Sequence, residues 1–172
     1  MTWLISDANI IIDMESGNIL DKMFRLPENF AVPNILYSEE LAEHHSDLPT
    51  FGLRVLEIRE EFIVEAYRLG GVYRKPSNND LLALALAKQE QCPLLTGDAK
   101  LREAADSEQV VVRGTLWLVE RLFDENLLDY NACKEAYSAM KNEYRRLPWI
   151  EIDKQLKRFK KKYTTPPQAN GV

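Results

Sequence analysis

A chain of 172 residues, 45% hydrophobic and 28% charged, is long enough for one well-buried core and short for two. It holds no run near the ~18 apolar residues that a spanning helix needs. Its N-terminus has no cationic stretch before an apolar one, and its two cysteines, Cys92 and Cys133, lack partners at ligand spacing, which excludes a disulfide framework or a zinc site. The reading is a cytoplasmic protein with no membrane partner and with both cysteines serving as small buried hydrophobes. The net charge of −5 is uneven: from Lys154 onward come Lys154, Lys157, Arg158, Lys160, Lys161 and Lys162 with no acid, so sixteen of the 22 bases face all 27 acids over residues 1–153. An acidic body with a basic end does not fit generic DNA binding, which rests on many Lys and Arg contacts to phosphate. It suits a carboxylate site that takes a divalent cation before an anion approaches.

Residues 2–6 predict a strand in which Trp3, Leu4 and Ile5 run into Ser6, Asp7, Ala8 and Asn9; a helix from Ala8 to about Glu15 follows, punctuated by Ser16, Gly17 and Asn18. FAVP, 30–33, predicts a second strand, and NILYSEELAEHH a helix with Asn34 as N-cap and an acidic face. A helix over 51–61, a strand at FIVEA and a break at Gly70 and Gly71 come next. SNNDLLALALAKQEQ, 77–91, has the strongest helical signature: Ser77 caps, Asp80 sits at the third helical position, and Leu, Ala and Lys fill the rest. PLLTGDAKL, 93–101, predicts a buried strand ending on Thr96, Gly97 and Asp98, followed by a helix near 99–105 and a strand at QVVV, 109–112. Strands alternate with helices, which implies an α/β fold with a mostly parallel sheet. Beyond Gly114 the pattern is helical only, with Pro148 separating YNACKEAYSAMKNEYRRL from a cationic segment between Trp149 and Tyr163. The chain divides into an α/β domain over 1–125, a helical extension over 126–163 that ends in the basic helix, and a Pro-rich tail, 164–172, read as disordered.

Four acids stand at element boundaries: Asp7, Glu40, Asp80 and Asp98. In a parallel sheet the C-terminal strand ends and the N-termini of the following helices share one edge, so Asp7, Asp80 and Asp98 can converge there, while Glu40 must point back from two turns into its helix. Carboxylates gathered without Lys or Arg repel one another unless a hard, oxygen-seeking cation fills the gap, and Mg²⁺ or Mn²⁺ fits best. Each acid also has an ordinary role. Asp80 completes a capping box, Asp7 and Asp98 can cap helices, and Glu40 with Glu39 and Glu43 can form a solvated face. His44 and His45 read as partners of a helix-end dipole, and Trp3, Trp117 and Trp149 as core or interface aromatics. Residues 154–162 read either as an amphipathic helix or as a surface that gathers RNA backbone.

LISDANIIIDM, VPNILYSEELAE, NNDLLALALAKQ, and LLTGDAKLREAA with VVVRGTLWLVERL behind it, taken in that order, resemble the successive motifs of PIN-domain ribonucleases, many of them VapC-type toxins of toxin–antitoxin pairs. The resemblance spans about residues 1–125. It implies a three-layer α/β/α fold with a parallel central sheet. It also implies Asp7, Glu40, Asp80 and Asp98 as the catalytic, metal-binding quartet, with Asn9 and Thr96 as polar supports. Further implications are Mg²⁺ or Mn²⁺ as cofactor, RNA as substrate, a small antitoxin as partner, and a homodimer. Glu40 is preferred to Glu39 because it precedes Leu41 as in the family's pattern, and adjacent helical residues face ~100° apart, so only one can aim at the cleft. The competing reading is a catalytically silent PIN-like binding or scaffold module whose acids are only caps. Receiver and aspartate-phosphatase folds fit poorly, since Asp7-Ala8-Asn9 stands where a phosphatase needs D-x-D.

Overall fold

Short apolar runs pair side by side at the centre of the computed structural model, which describes residues 3–164. Strands β1 (Trp3–Ser6), β2 (Asn29–Pro33), β3 (Arg54–Leu56), β4 (Leu94–Leu95) and β5 (Val112–Arg113) form one all-parallel sheet in the order β3-β2-β1-β4-β5. Leu4, Ile5, Phe30, Ala31, Val32, Leu94 and Leu95 are all buried, as a parallel sheet flanked by helices requires. The order changes direction between β1 and β4, and at such a switch point the loops leave the sheet on opposite sides and open a crevice at its C-terminal edge. Register decides what stands there: Ile5 lies opposite Leu94 and Ser6 opposite Leu95, so Asp7 and Thr96 emerge side by side.

The helices are α1 (Ala8–Ser16), α2 (Leu20–Met23), α3 (Asn34–Leu36), α4 (Leu48–Phe51), α5 (Glu60–Val72), α6 (Asn78–Glu90), α7 (Ala99–Ser107), α8 (Thr115–Asp124), α9 (Tyr130–Asn142) and α10 (Trp149–Thr164). A π-helical turn, Tyr37–Leu41, continues α3. Helix α6 packs against β1, β2 and α5, and Leu81, Ala83, Leu84, Ala85, Leu86 and Ala87 bury almost its whole circumference. A helix apolar on every side belongs inside. None of the described helices is long and apolar enough to cross a membrane.

The basic segment is an amphipathic helix. Ile152, Gln155 and Phe159 of α10, spaced by three and four, are buried, and the Phe159 ring stacks on Phe123 of α8 with centroids 4.1 Å apart. Gln155 donates to the Leu116 carbonyl at 2.8 Å and accepts from the Tyr137 hydroxyl at 2.5 Å, joining α8, α9 and α10. Arg158 pairs with Glu120 and Lys162 with Asp124, so part of the cationic charge is used within the fold.

The structure differs from the sequence reading mainly between residues 34 and 73. Asn34 is the first helical residue rather than the cap, because Pro33 holds the extended cap position. The helix expected over 51–61 is absent: α4 stops at Phe51, Gly52 adopts φ +120°, which side-chain-bearing residues rarely reach, and the chain turns into edge strand β3. FIVEA lies inside α5, not in a strand, where Glu65 binds Arg68 one turn on and Lys88 of α6. Those ion pairs and the packing on α6 outweigh the weak strand preference of Ile63 and Val64. Gly70 and Gly71 do not break that helix; they form its last turn. Strand β5 starts at Val112, later than expected, since Gln109 is left-handed at φ +60°. Cys133 is buried as expected, but Cys92 is only half-buried. Thr164 closes α10, and the rest of the tail read as disordered lies outside the described residues.

Replacing Phe159 with Ala removes a fully buried ring and is expected to cost about 3–5 kcal/mol. Urea denaturation should show that loss in a single transition shared by the sheet and the C-terminal helices; a native-like midpoint would contradict the packing described.

Candidate active site

Asp7 leaves β1 as the N-cap of α1, its Oδ1 accepting from the Ile10 amide at 2.9 Å. Its Oδ2 accepts from the Thr96 hydroxyl at 2.5 Å. Thr96 Oγ1 in turn accepts from the Asp98 amide at 3.0 Å, and Asp98 caps α7 through Oδ1 to the Leu101 amide at 2.8 Å. Thr96 thus links the two aspartates across the switch point, one buried and one exposed. Asp7 has 0% exposure, and its pKa is pushed up to about 7: burial is the main cause, and the negative charges of Asp80 and Asp13 add to it against the bonds from Thr96 and Ile10.

Asp80 sits in the first turn of α6 and completes a reciprocal box with Ser77, accepting from the Ser77 amide at 3.0 Å while the Ser77 hydroxyl accepts from its own amide. Its charge acts in two directions, on Asp7 and on Glu40. Glu40 lies in the π turn; although its side chain is exposed, partial burial of the carboxyl and then Asp80 raise its pKa, opposed by Asn79. Glu39 is also drawn to this place, accepting from Asn79 Nδ2 at 2.9 Å. A π turn is wider than an α turn, so both glutamates reach the start of α6, where an ideal helix would have allowed one. His45 lies apart, 3.2 Å from Glu15.

Three residues central to this edge were not singled out from the sequence. Asp13, 4% exposed, accepts from Thr115 Oγ1 at 2.8 Å and from Arg145 Nε at 2.6 Å. Arg145, in the loop between α9 and α10, also reaches Asn9 Oδ1 at 3.3 Å. Thr115 opens α8 and is buried. The one visible signal was Asp13 itself, an acid interrupting IIIDM one helical face on from Asp7 and Asn9. A cavity of about 550 Å³ is lined by Asn9, Asp13, Gly97, Asp98, Tyr144 and Arg145, among others.

The sequence matches the DUF3368 family model, described as a PIN domain, over residues 3–161. The chain belongs to the PIN-domain family. The match continues through α9 and into α10, so all but the last two residues of the helical extension fall within it. PIN domains are generally nucleases that use divalent metals. Among solved structures the chain is similar to the crystal structure of VapBC2 from Rickettsia felis bound to a DNA fragment from their promoter, with 15% identity and a TM-score of 0.47, covering 66% of this chain and 98% of that one. No curated protein matches the sequence.

The donors on this PIN-domain edge suit a hard cation. Asp98 and Asp80 each spend one oxygen on a helix cap and keep the other without a partner among the described residues. Asp7 accepts one bond at each oxygen, and a carboxylate has about four acceptor positions. An all-oxygen set matches Mg²⁺ or Mn²⁺. Among the described residues, no three Asp, Glu, His or Cys side chains are already drawn together as a cage.

Asp7 gives this edge a pH signature. The unfolded aspartate loses its proton near 3.8 and the folded one near 7, so between those values the native state binds more protons and stability falls as pH rises, by on the order of 4 kcal/mol. Denaturation of metal-free protein at pH 5 and pH 8 should show about 3 kcal/mol of this loss, and Asp7→Asn should remove most of it. Identical pH dependence in both proteins would exclude burial of Asp7 as its source.

Proposed function

We propose that the protein is a metal-dependent endoribonuclease that cleaves RNA phosphodiester bonds, acting as the toxin of a toxin–antitoxin pair. The observation that supports it most is a fully buried Asp7 at the switch point of the sheet, burdened by two neighbouring acids and bonded through Thr96 to the loop that carries Asp98. Keeping a carboxylate where its charge is disfavoured costs stability, and a strongly perturbed acid beside a cavity lined by Asn9 and Asp98 points to function. Asp7 and Asp98 are the residues that would hold Mg²⁺ or Mn²⁺, with Asp80 and Glu40 around them. A divalent ion there supplies an acidified water and positive charge for the phosphoryl oxygens. Thr96 fixes Asp7 by donating to Oδ2 and braces the Asp98 amide. Asn9 presents its amide from the first turn of α1, steadied by Arg145. The antitoxin, the homodimer and the cytoplasmic setting belong to the same proposal, on the strength of the VapC resemblance.

A catalytically silent PIN-like binding module is the second reading, favoured by the fact that Asp7, Asp80 and Asp98 each cap a helix. Incubating a long unstructured RNA with the full chain, with Mn²⁺ or with EDTA, separates the two. Cleavage is expected only with Mn²⁺ and should drop at least ~100-fold in Asp7→Asn and in Asp98→Asn. RNA decay at equal rates in wild type and Asp7→Asn would leave only the binding module.

A further inference from the structure

A second cavity, of about 1010 Å³, opens beside the acid edge, and the two share Gly97, Ala99, Arg145 and Arg146 in their walls, so they form one continuous track. The acid side is carboxylate-lined; the second cavity has a different character. Trp117 and Trp149 give it apolar walls, and Arg102, Arg113 and Arg146 stand around it without a carboxylate partner among the described residues. Its one acid, Glu151, is paired with Lys154 at 3.3 Å. Arg102 is held at the junction of the two cavities: its Nε donates to the Thr96 carbonyl at 3.2 Å, and a Cβ on Gly114 would come within 3.1 Å of its Nη2. The residue that anchors Asp7 therefore also anchors the first arginine of the track. Tyr144 lies on the acid side, 91% exposed, in a left-handed conformation at φ +56° that lifts it out of the end of α9.

We propose that this track, walled by the α9–α10 loop, is the binding groove for the single-stranded RNA next to the cleaved bond, with unpaired bases against Tyr144, Trp117 and Trp149 and phosphates on Arg102, Arg113 and Arg146. The inference deepens the ribonuclease reading and rests on it for the identity of the ligand. Arg113 lies 5.8 Å over one face of the Trp117 ring and Lys141 5.4 Å over one face of Trp149, and indole walls set among cations match a splayed nucleotide, which offers a ring face and a flanking negative charge. A duplex keeps its bases stacked and its deep groove closed to side chains, so it cannot fill such a cavity. The indoles packed on the core thus also serve as a wall. The track, rather than the outer face of α10, becomes the RNA surface, since Arg158 and Lys162 of that helix are already paired with acids.

The test is fluorescence anisotropy of a labelled single-stranded RNA 10-mer with the full chain in EDTA, where binding is read without turnover. The double variant Arg113→Ala/Arg146→Ala is expected to weaken binding at least ~10-fold and to lower the salt slope of log K by about 1.4. Tyr144→Ala and Trp149→Ala should each weaken it by ~5-fold or more with little change in salt slope, and Trp149→Phe should retain most of it. A duplex of the same sequence should bind at least ~10-fold more weakly than the single strand. Wild-type affinity in both the double variant and Tyr144→Ala would overturn the proposal, as would a loss in Lys157→Ala, on the outer face of α10, equal to that of the double variant. Failure of the groove and failure of the nuclease are separable: intact binding in the groove variants beside Asp7-dependent cleavage removes only the groove, and groove-dependent binding without cleavage removes only the nuclease.

Discussion

The hydrogen bond between Thr96 and Asp7 joins two strands at the place where the sheet changes direction. Parallel pairing of β1 with β4 brings the two residues level, and once they are level the acid has nowhere polar to go except the threonine hydroxyl and the first turn of α1. The same hydroxyl then accepts from Asp98, and the Thr96 carbonyl accepts from Arg102. One short side chain therefore sets the positions of a buried acid, an exposed acid and a cation, and the rest of the edge is arranged around it.

The C-terminal helices are part of that edge. Phe159 and Gln155 fasten α10 to α8 and α9, and the loop between α9 and α10 is thereby delivered to the mouth of the sheet. Arg145 fixes the loop by entering beside Asn9 and meeting Asp13. A buried ion pair of this kind gains little over apolar packing, but its geometry is demanding, so it positions the loop more than it stabilises the fold. Asp13 also raises the cost of ionising Asp7, so the extension and the acid edge are coupled through one carboxylate.

Much of the architecture was readable in the sequence because the signals were local. Ser77 and Asp80 wrote a capping box, which the structure contains with both of its bonds, and the apolar runs ending at Asp7 and Thr96 marked strands whose ends lie together. The region from 51 to 73 misread because its signals were weak and the deciding partners distant: β3 is made a strand by pairing with β2, and α5 a helix by contact with α6. At the acid edge, boundary position pointed to Asp7, Asp80 and Asp98, and neighbouring charge ties Glu40 to them. The pairing of Asp13 with Arg145 was hidden by their separation of 132 positions, a distance no periodicity spans.

That separation also carries a consequence for the order in which the protein is made. A ribosome releases the acids of β1 and α1 long before the arginine that pairs with Asp13, so the contact that ties the start of the chain to the α9–α10 loop forms among the last. Only a chain synthesised past Arg145 closes the rim of its own cleft.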